Sequence, residues 1–203
     1  MIHIQLPASD QDIAALKVGD TVYLSGVMLT ARDAAHKYMV EKLIQQSPAG
    51  EDLEMHDKLA QDLTGGAIYH CGPVVRKREG RYEFVSAGPT TSAREEVYED
   101  IIIAHFGVKA IIGKGGMGPR TLAACRDHTA VYLHAIGGAG SLIAASVDEV
   151  LDVYKLEEFG APEAFWRIRV TDFPTVVTMD SHGNSIHEVV QAASKEKLAE
   201  LLA

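Results

Sequence analysis

Apolar positions along the chain switch repeatedly between short runs, as strands show, and a repeat every three or four residues, as helices show. HIQL near the start reads as a strand, and DQDIAALKVGD as a short helix ending at Gly19. TVYLSGVML (21–29) is a strongly apolar second strand. Thr30 is then placed to cap the helix predicted by TARDAAHKYMVEKLIQQ, with Asp33 in capping-box spacing and Met39, Leu43 and Ile44 facing inward. Residues 46–66 are polar and broken by Pro48, Gly50 and Gly65–Gly66, so they read as an irregular, flexible connection with room for one helical turn. AIYHCGPVVRKREGRYEFVSAG (67–88) predicts two or three strands, the later two joined at Glu79–Gly80.

PTTSAREEVYEDIIIAHF (89–106) predicts a helix with Val97, Ile101, Ile102, Ala104 and Phe106 on its inner face and Glu95, Glu96 and Glu99 in water. Strand and helix then alternate through residue 147, in GVKAIIG, PRTLAACRDH entered through Pro119, and TAVYLHAIGG. Such alternation calls for parallel strands with crossover helices, and so for an α/β fold. FWRIRV (165–170), with Arg167 and Arg169 on a solvated face, and PTVVTMD (174–180) read as two more strands. The SHGN turn (181–184) and a helix around 192–202 close the pattern.

With 47% hydrophobic residues in 203, the chain can bury a substantial core, and a single domain over residues 1–203 is expected. Its formal charge of −9 argues against a nucleic-acid partner, which needs a basic face. The opening MIHIQLPASD has no basic leader, and no stretch approaches the roughly 20 apolar residues of a membrane span. The cytoplasm, with no membrane partner, is the expected location. Cys71 and Cys125 lack C-x-x-C spacing, which suggests neither a disulfide framework nor a self-contained zinc or iron–sulfur site.

IIGKGGMGPR (111–120) contains a G-x-G-x-x-G between a strand and a helix, the context of a dinucleotide-binding turn. The next strand should then end in an acid for the ribose, but it ends in His134, Ala135 and Ile136. A Walker loop fails too, because Lys114 is followed by Gly115 rather than Ser or Thr. What remains is a backbone open to a small anion, beside one fixed positive charge.

Two other strand-to-helix turns carry cations: LTARDAAH with Arg32, and GPTTSAR with Thr90, Thr91 and Arg94. If the strands are parallel neighbours, Arg32, Arg94 and Lys114 can converge on a doubly charged small acid. Taken singly, the first two turns also read as ordinary helix caps. His36, His70 and His134 read as hydrogen-bonded core or rim residues, outside the site.

Taken together, GDTVYLSGVMLTARDAAHK, HCGPVV, AGPTTSAR, GKGGMG and FGAPEAFWRIRVTDFPTVVTMDSHGN occur in an order that resembles one family over nearly the whole chain. That family is the β subunit, or C-terminal domain, of class I iron–sulfur fumarases and L-tartrate dehydratases. The resemblance implies a swivelling β/β/α fold, with a mainly parallel sheet flanked by helices and additional antiparallel strands. It implies a hydro-lyase interconverting fumarate and L-malate, or alternatively one converting tartrate to oxaloacetate. It also implies a hetero-oligomer with an α subunit that carries the 4Fe-4S cluster and its cysteine ligands, so that this chain ligates no metal. By the same resemblance Arg32, Thr91, Arg94 and Lys114 bind the carboxylates of a small dicarboxylate substrate, and Thr90 is the candidate base. A nucleotide-binding module and a non-catalytic structural subunit are the readings from other classes.

Overall fold

The computed structural model describes residues 1–202. Strand β1 (Ile2–Gln5) leads through α1 (Asp10–Ala14) to β2 (Thr21–Thr30), with which it pairs in parallel. Ser9 opens α1 in a capping box with Asp12, each side chain meeting the other's backbone amide. After β2 come α2 (Asp33–Tyr38), a π-helical turn (Met39–Ile44) and α3 (Glu51–Leu63).

Helix α3 overturns the irregular connection expected over 46–66. Its apolar seam is narrow, only Met55, Leu59 and Leu63 being buried, and the acids and amides between them masked the period. Arg167 is likewise not a simple solvated residue: its Nε donates to Asp62 of α3 at 2.8 Å, while Arg169 is exposed as expected.

Next come β3 (Ala67–Tyr69) and a hairpin of β4 (Val74–Arg78) and β5 (Arg81–Ser86), which turns at Glu79–Gly80. A 3-10 turn (Ser92–Arg94) precedes α4 (Glu99–Phe106). The helix therefore starts later than the pattern suggests, and the phase changes. Glu95 and Glu99 are buried, at 1% and 0% exposure, while Val97 and Ala104 face out. β6 (Ala110–Gly113), α5 (Pro119–Asp127), β7 (Val131–His134) and α6 (Gly140–Ala144) continue the alternation.

The last elements are β8 (Val147–Tyr154), α7 (Leu156–Phe159), β9 (Phe165–Met179) and α8 (Ile186–Leu202). β9 is one strand where two were expected. A register shift between Leu24 and Gly26 of β2, opposite Asp172 with φ 50°, bends β9 without ending it, and Pro174 is accommodated beyond that bend.

The sheet runs β1-β2-β3-β6-β7-β9-β8. Strands β1, β2, β3, β6 and β7 are mutually parallel, and β9 is antiparallel to β2, β7 and β8. Because β9 pairs with both β7 and β2, strands β2, β3, β6, β7 and β9 close into a ring. The fold is α/β with added antiparallel strands, as expected.

Successive residues of its strands serve two cores. Tyr69, Ile112 and Leu133 join Leu24, Met28, Trp166 and Phe173 in one core. Their neighbours Ile68, Ile111 and Tyr132 pack with Met39, Leu59, Ile102 and Phe106 from the helices in the other. This double burial explains why the strands read as unbroken apolar runs. It also fixes the C-terminal ends of β2, β3 and β6 side by side.

Candidate active site

The Arg32 and Lys114 turns leave the sheet at the ends of β2 and β6, whereas the Thr90–Arg94 turn follows β5 of the separate hairpin and returns to the end of β3, where the Thr90 amide meets the His70 carbonyl. Thr30 is not the helix cap expected of it: it is the last residue of β2, and its Oγ1 accepts the Trp166 amide at 3.2 Å. Arg32 occupies the cap position with extended backbone and no capping side chain. Its guanidinium lies 3.3 Å from Glu163 Oε1 and 3.8 Å from Asp33 Oδ2. The other oxygen of Asp33 meets Arg94 Nη2 at 2.6 Å. Asp33, read as half of a capping box, thus bridges the two arginines.

Thr90, Thr91 and Lys114 are joined through the backbone. The Thr90 amide donates to the His70 carbonyl at 2.7 Å, the Lys114 amide to the Thr90 carbonyl at 3.2 Å, and the Ser92 amide to the Lys114 carbonyl at 3.0 Å. Thr91 and Lys114 form an isolated parallel bridge. Arg32, Thr90 and Lys114 are half-exposed, whereas Thr91 and Arg94 are exposed. Unlike the two arginines, Lys114 takes part in no ion pair among the described residues. The structure therefore places the five predicted site residues in two groups, an arginine pair sharing Asp33 and a threonine–lysine group joined through the backbone, which meet at the 90–94 turn.

The glycines around Lys114 have separate reasons. Gly115 and Gly116 adopt φ of 82° and 80°, where side chains other than glycine are strained. A Cβ on Gly113 would stand 1.8 Å from Ser92 Oγ. Gly118 opens α5, but the helix N-terminus that would hold a pyrophosphate is already filled by the chain's own carboxylate. Glu96 accepts the Gly118 amide at 2.7 Å, the Arg120 amide at 2.9 Å and the Thr121 hydroxyl at 2.7 Å. Glu96→Ala is expected to lower stability by about 1–2 kcal/mol, read as a lower urea midpoint, because it removes a charged cap. An unchanged midpoint would contradict that role.

Beneath these turns lies a buried cluster whose acid, Glu99, the pattern placed in water. His36 Nε2 and His70 Nε2 both lie 3.1 Å from Glu99 Oε2, and all three residues are fully buried. Burial alone would push the His36 imidazole down, but the Glu99 carboxylate, with Glu95 behind it, raises it to about 9. Burial would raise Glu99, yet the two imidazoles hold it down at about 2. Burial raises the Glu95 carboxyl to about 7, and it lowers His70.

Between the ordinary imidazole value near 6.5 and His36's value of about 9, the folded chain keeps a proton that the unfolded chain releases. This contribution to stability is therefore complete below the lower value and is lost as pH rises through that window. The urea midpoint should fall over this range in the native chain, and fall less in His36→Gln. Parallel curves would refute the assignment.

The reading that set His36 and His70 aside as core residues was right about burial, but it missed their shared partner. The available signal was the Glu95–Glu99 spacing, one helical turn. The two thiols do not fit a cluster site: Cys71 and Cys125 are buried in different cores, and burial pushes the Cys71 thiol up to about 12 and Cys125 higher. No helix among the described residues is long and apolar enough to cross a membrane.

Comparison with known proteins converges on one family. Residues 1–190 match the model described as Fumarase C-terminus. The chain is 48% identical over 98% of its length to a Geobacillus stearothermophilus protein provisionally named fumarate hydratase class I, of which it spans only 36%. It is 45% identical to a Methanocaldococcus jannaschii protein provisionally named L(+)-tartrate dehydratase subunit beta, over 95% of this chain and 94% of that one. Against the Escherichia coli K12 L(+)-tartrate dehydratase subunit beta it is 38% identical, over 89% of this chain and 83% of that one. On the family match over residues 1–190 and these relatives, the chain belongs to the fumarase C-terminus family.

Proposed function

We propose that this chain is the β subunit of a cytoplasmic iron–sulfur hydro-lyase that interconverts fumarate and L-malate at a site completed by a cluster-bearing α subunit. One observation supports the reading: Arg32 and Arg94 share Asp33, and the turn that carries Arg94 is bridged through Thr91 to Lys114. Three cations are partly offset by Asp33 and Glu163, which leaves Lys114 as the uncompensated charge. Such a set of charges suits a small dicarboxylate better than a nucleotide, whose phosphate position at α5 holds Glu96. Val97, Ile136 and Leu142, at 54%, 60% and 70% exposure, lie close to these turns in the chain and leave apolar surface for a partner to cover.

Loss of water from malate begins with a proton leaving a carbon next to a carboxylate, whose oxygens take up the charge. Preorganised cations stabilise that charge more than they stabilise the substrate. Lys114 and the two arginines serve this purpose, and Thr90, pinned on both sides of its peptide, stands where a hydroxyl can orient substrate or move the proton. The α subunit's cluster would supply the Lewis acid for the leaving hydroxide.

Tartrate dehydration is the second reading, favoured by the names of the two relatives matched over most of their length. Assembly of the chain with its α subunit under anaerobic conditions, followed by assay of fumarate from malate and oxaloacetate from tartrate, tests both. The faster substrate decides between them. Activity from this chain alone, or none from the assembled pair, would refute the shared site.

A further inference from the structure

A continuous chain of buried side chains runs beneath the three cationic turns. The Tyr132 hydroxyl donates to Ser92 Oγ at 2.9 Å, and the Ser92 amide to the Lys114 carbonyl at 3.0 Å. Ser92 Oγ lies 2.8 Å from His70 Nδ1, and His70 meets His36 at Glu99. At the far end His36 Nδ1 lies 2.9 Å from the Arg32 carbonyl.

The partners decide where the protons sit. A carboxylate and a carbonyl only accept, so His36 carries a proton on each ring nitrogen. Tyr132 gives its proton to Ser92, Ser92 gives its own to His70 Nδ1, and His70 Nε2–H is left to donate to Glu99. The donor atoms of His36, His70 and Glu99 lie within 4.8 Å of one another, as metal ligands would. With both Nε2 atoms protonated, however, neither imidazole has a lone pair to offer there.

We infer that this chain sets the spacing of the active-site turns, tying the Arg32 backbone, the Thr90 turn and the Lys114 loop to the single carboxylate of Glu99. The inference rests on the proposed reading of those turns as the substrate-carboxylate face. His36, His70, Ser92, Glu99 and Tyr132 are positioning residues: all are buried and act through the turns above them. A break anywhere leaves a donor or acceptor unpaired in the interior, so the chain holds one arrangement strongly. The neighbouring backbone is committed to it as well, since only glycine at 113 leaves room for Ser92 and His70.

Ser92→Ala and Tyr132→Phe each remove one hydroxyl and little volume. In the full chain, amide exchange at Thr90, Ser92 and Lys114 should quicken roughly tenfold or more, while Val131 and Leu133 in the ring keep their rates. In the assembled enzyme kcat/KM should fall about 10- to 100-fold at unchanged cluster content. Glu99→Gln should do the same and add a loss of kcat on the alkaline side, because His36 then loses its anion. The other titratable groups facing His36 are Glu95, just after the 3-10 turn, and His70, just after β3, while Asp33 on its own helix acts on His70 and Glu95.

The Ser92→Ala, Glu99→Gln double variant should lose little more than the worse single one, as members of one chain do. Exchange at native rates, or kcat/KM within about twofold of native with an unchanged pH profile in both hydroxyl variants, overturns the inference. A native assembly that turns over neither acid would instead sink the proposed function, and the exchange rates would still decide the buried chain.

Discussion

Lys114→Ala in the assembled enzyme is expected to lower kcat/KM for L-malate by about 100- to 1,000-fold, the range seen when one preorganised charge-stabilising donor is removed. The expectation rests on geometry. Arg32 and Arg94 each face an acid of this chain, at 3.3 and 2.6 Å, whereas Lys114 faces none among the described residues. Its aliphatic stem lies against Gly137, where a Cβ would be 3.6 Å from Lys114 Cδ. Its backbone is held by Thr90 and Ser92. The ammonium is thus presented on a fixed stem with its charge available. Lys114→Arg keeps the charge but not the shape, and should recover only part of the loss. A kinetic comparison of the three proteins at one cluster content checks this, and near-native turnover in the alanine variant would end the carboxylate-clamp reading.

Gly113→Ala is expected to cost the fold about 3 kcal/mol or more, the upper range for overpacking a tight interior. At roughly 2–4 °C per kcal/mol for a chain of this size, Tm should fall by about 6–12 °C. The added methyl would stand 1.8 Å from Ser92 Oγ and 3.2 Å from both Ser92 Cβ and His70 Nδ1. Gly113 ends a buried strand, so backbone movement would disturb the pairing of β6 with β3 and β7. Ser92→Gly placed in the same chain should restore a large part of the Tm, since it removes the atoms in collision. Failure of that rescue, or a native Tm in the single variant, would show that the site relaxes more freely than its packing implies.

The first glycine of G-x-G-x-x-G therefore has a different purpose from the one its spacing suggests. The motif was legible and its usual ligand was not, because the reasons for its glycines lie in residues distant in sequence: Ser92 for Gly113, Glu96 for Gly118. The same division runs through the molecule. Parallel strands and their turns could be read from apolar runs, since burial on both faces leaves a dense local signal. Arg32 and Lys114 follow the ends of such strands, which is where the pattern points to a ligand, whereas Thr90, Thr91 and Arg94 follow the separate hairpin.

Three other features were beyond a local pattern. α3 buries too few residues to show a period. Glu95 and Glu99 look solvated until His36 and His70 arrive from other elements to compensate them. β9 looks like two strands because its bend depends on an irregularity in β2. In the last two cases the deciding partner is far along the chain, where periodicity carries no information.

The ring of strands also has a consequence for how the molecule is made. β9 is its closing member, and it covers β2 from Thr21↔Val176 to Thr30↔Trp166. During synthesis the first strands emerge well before their antiparallel partner, so one edge of β2 stays without hydrogen-bond partners while most of the chain is translated. Neighbouring nascent chains on one polysome then offer each other the same open edge. A ribosome that stalls before Met179 leaves β2 ready to pair with a second copy of itself.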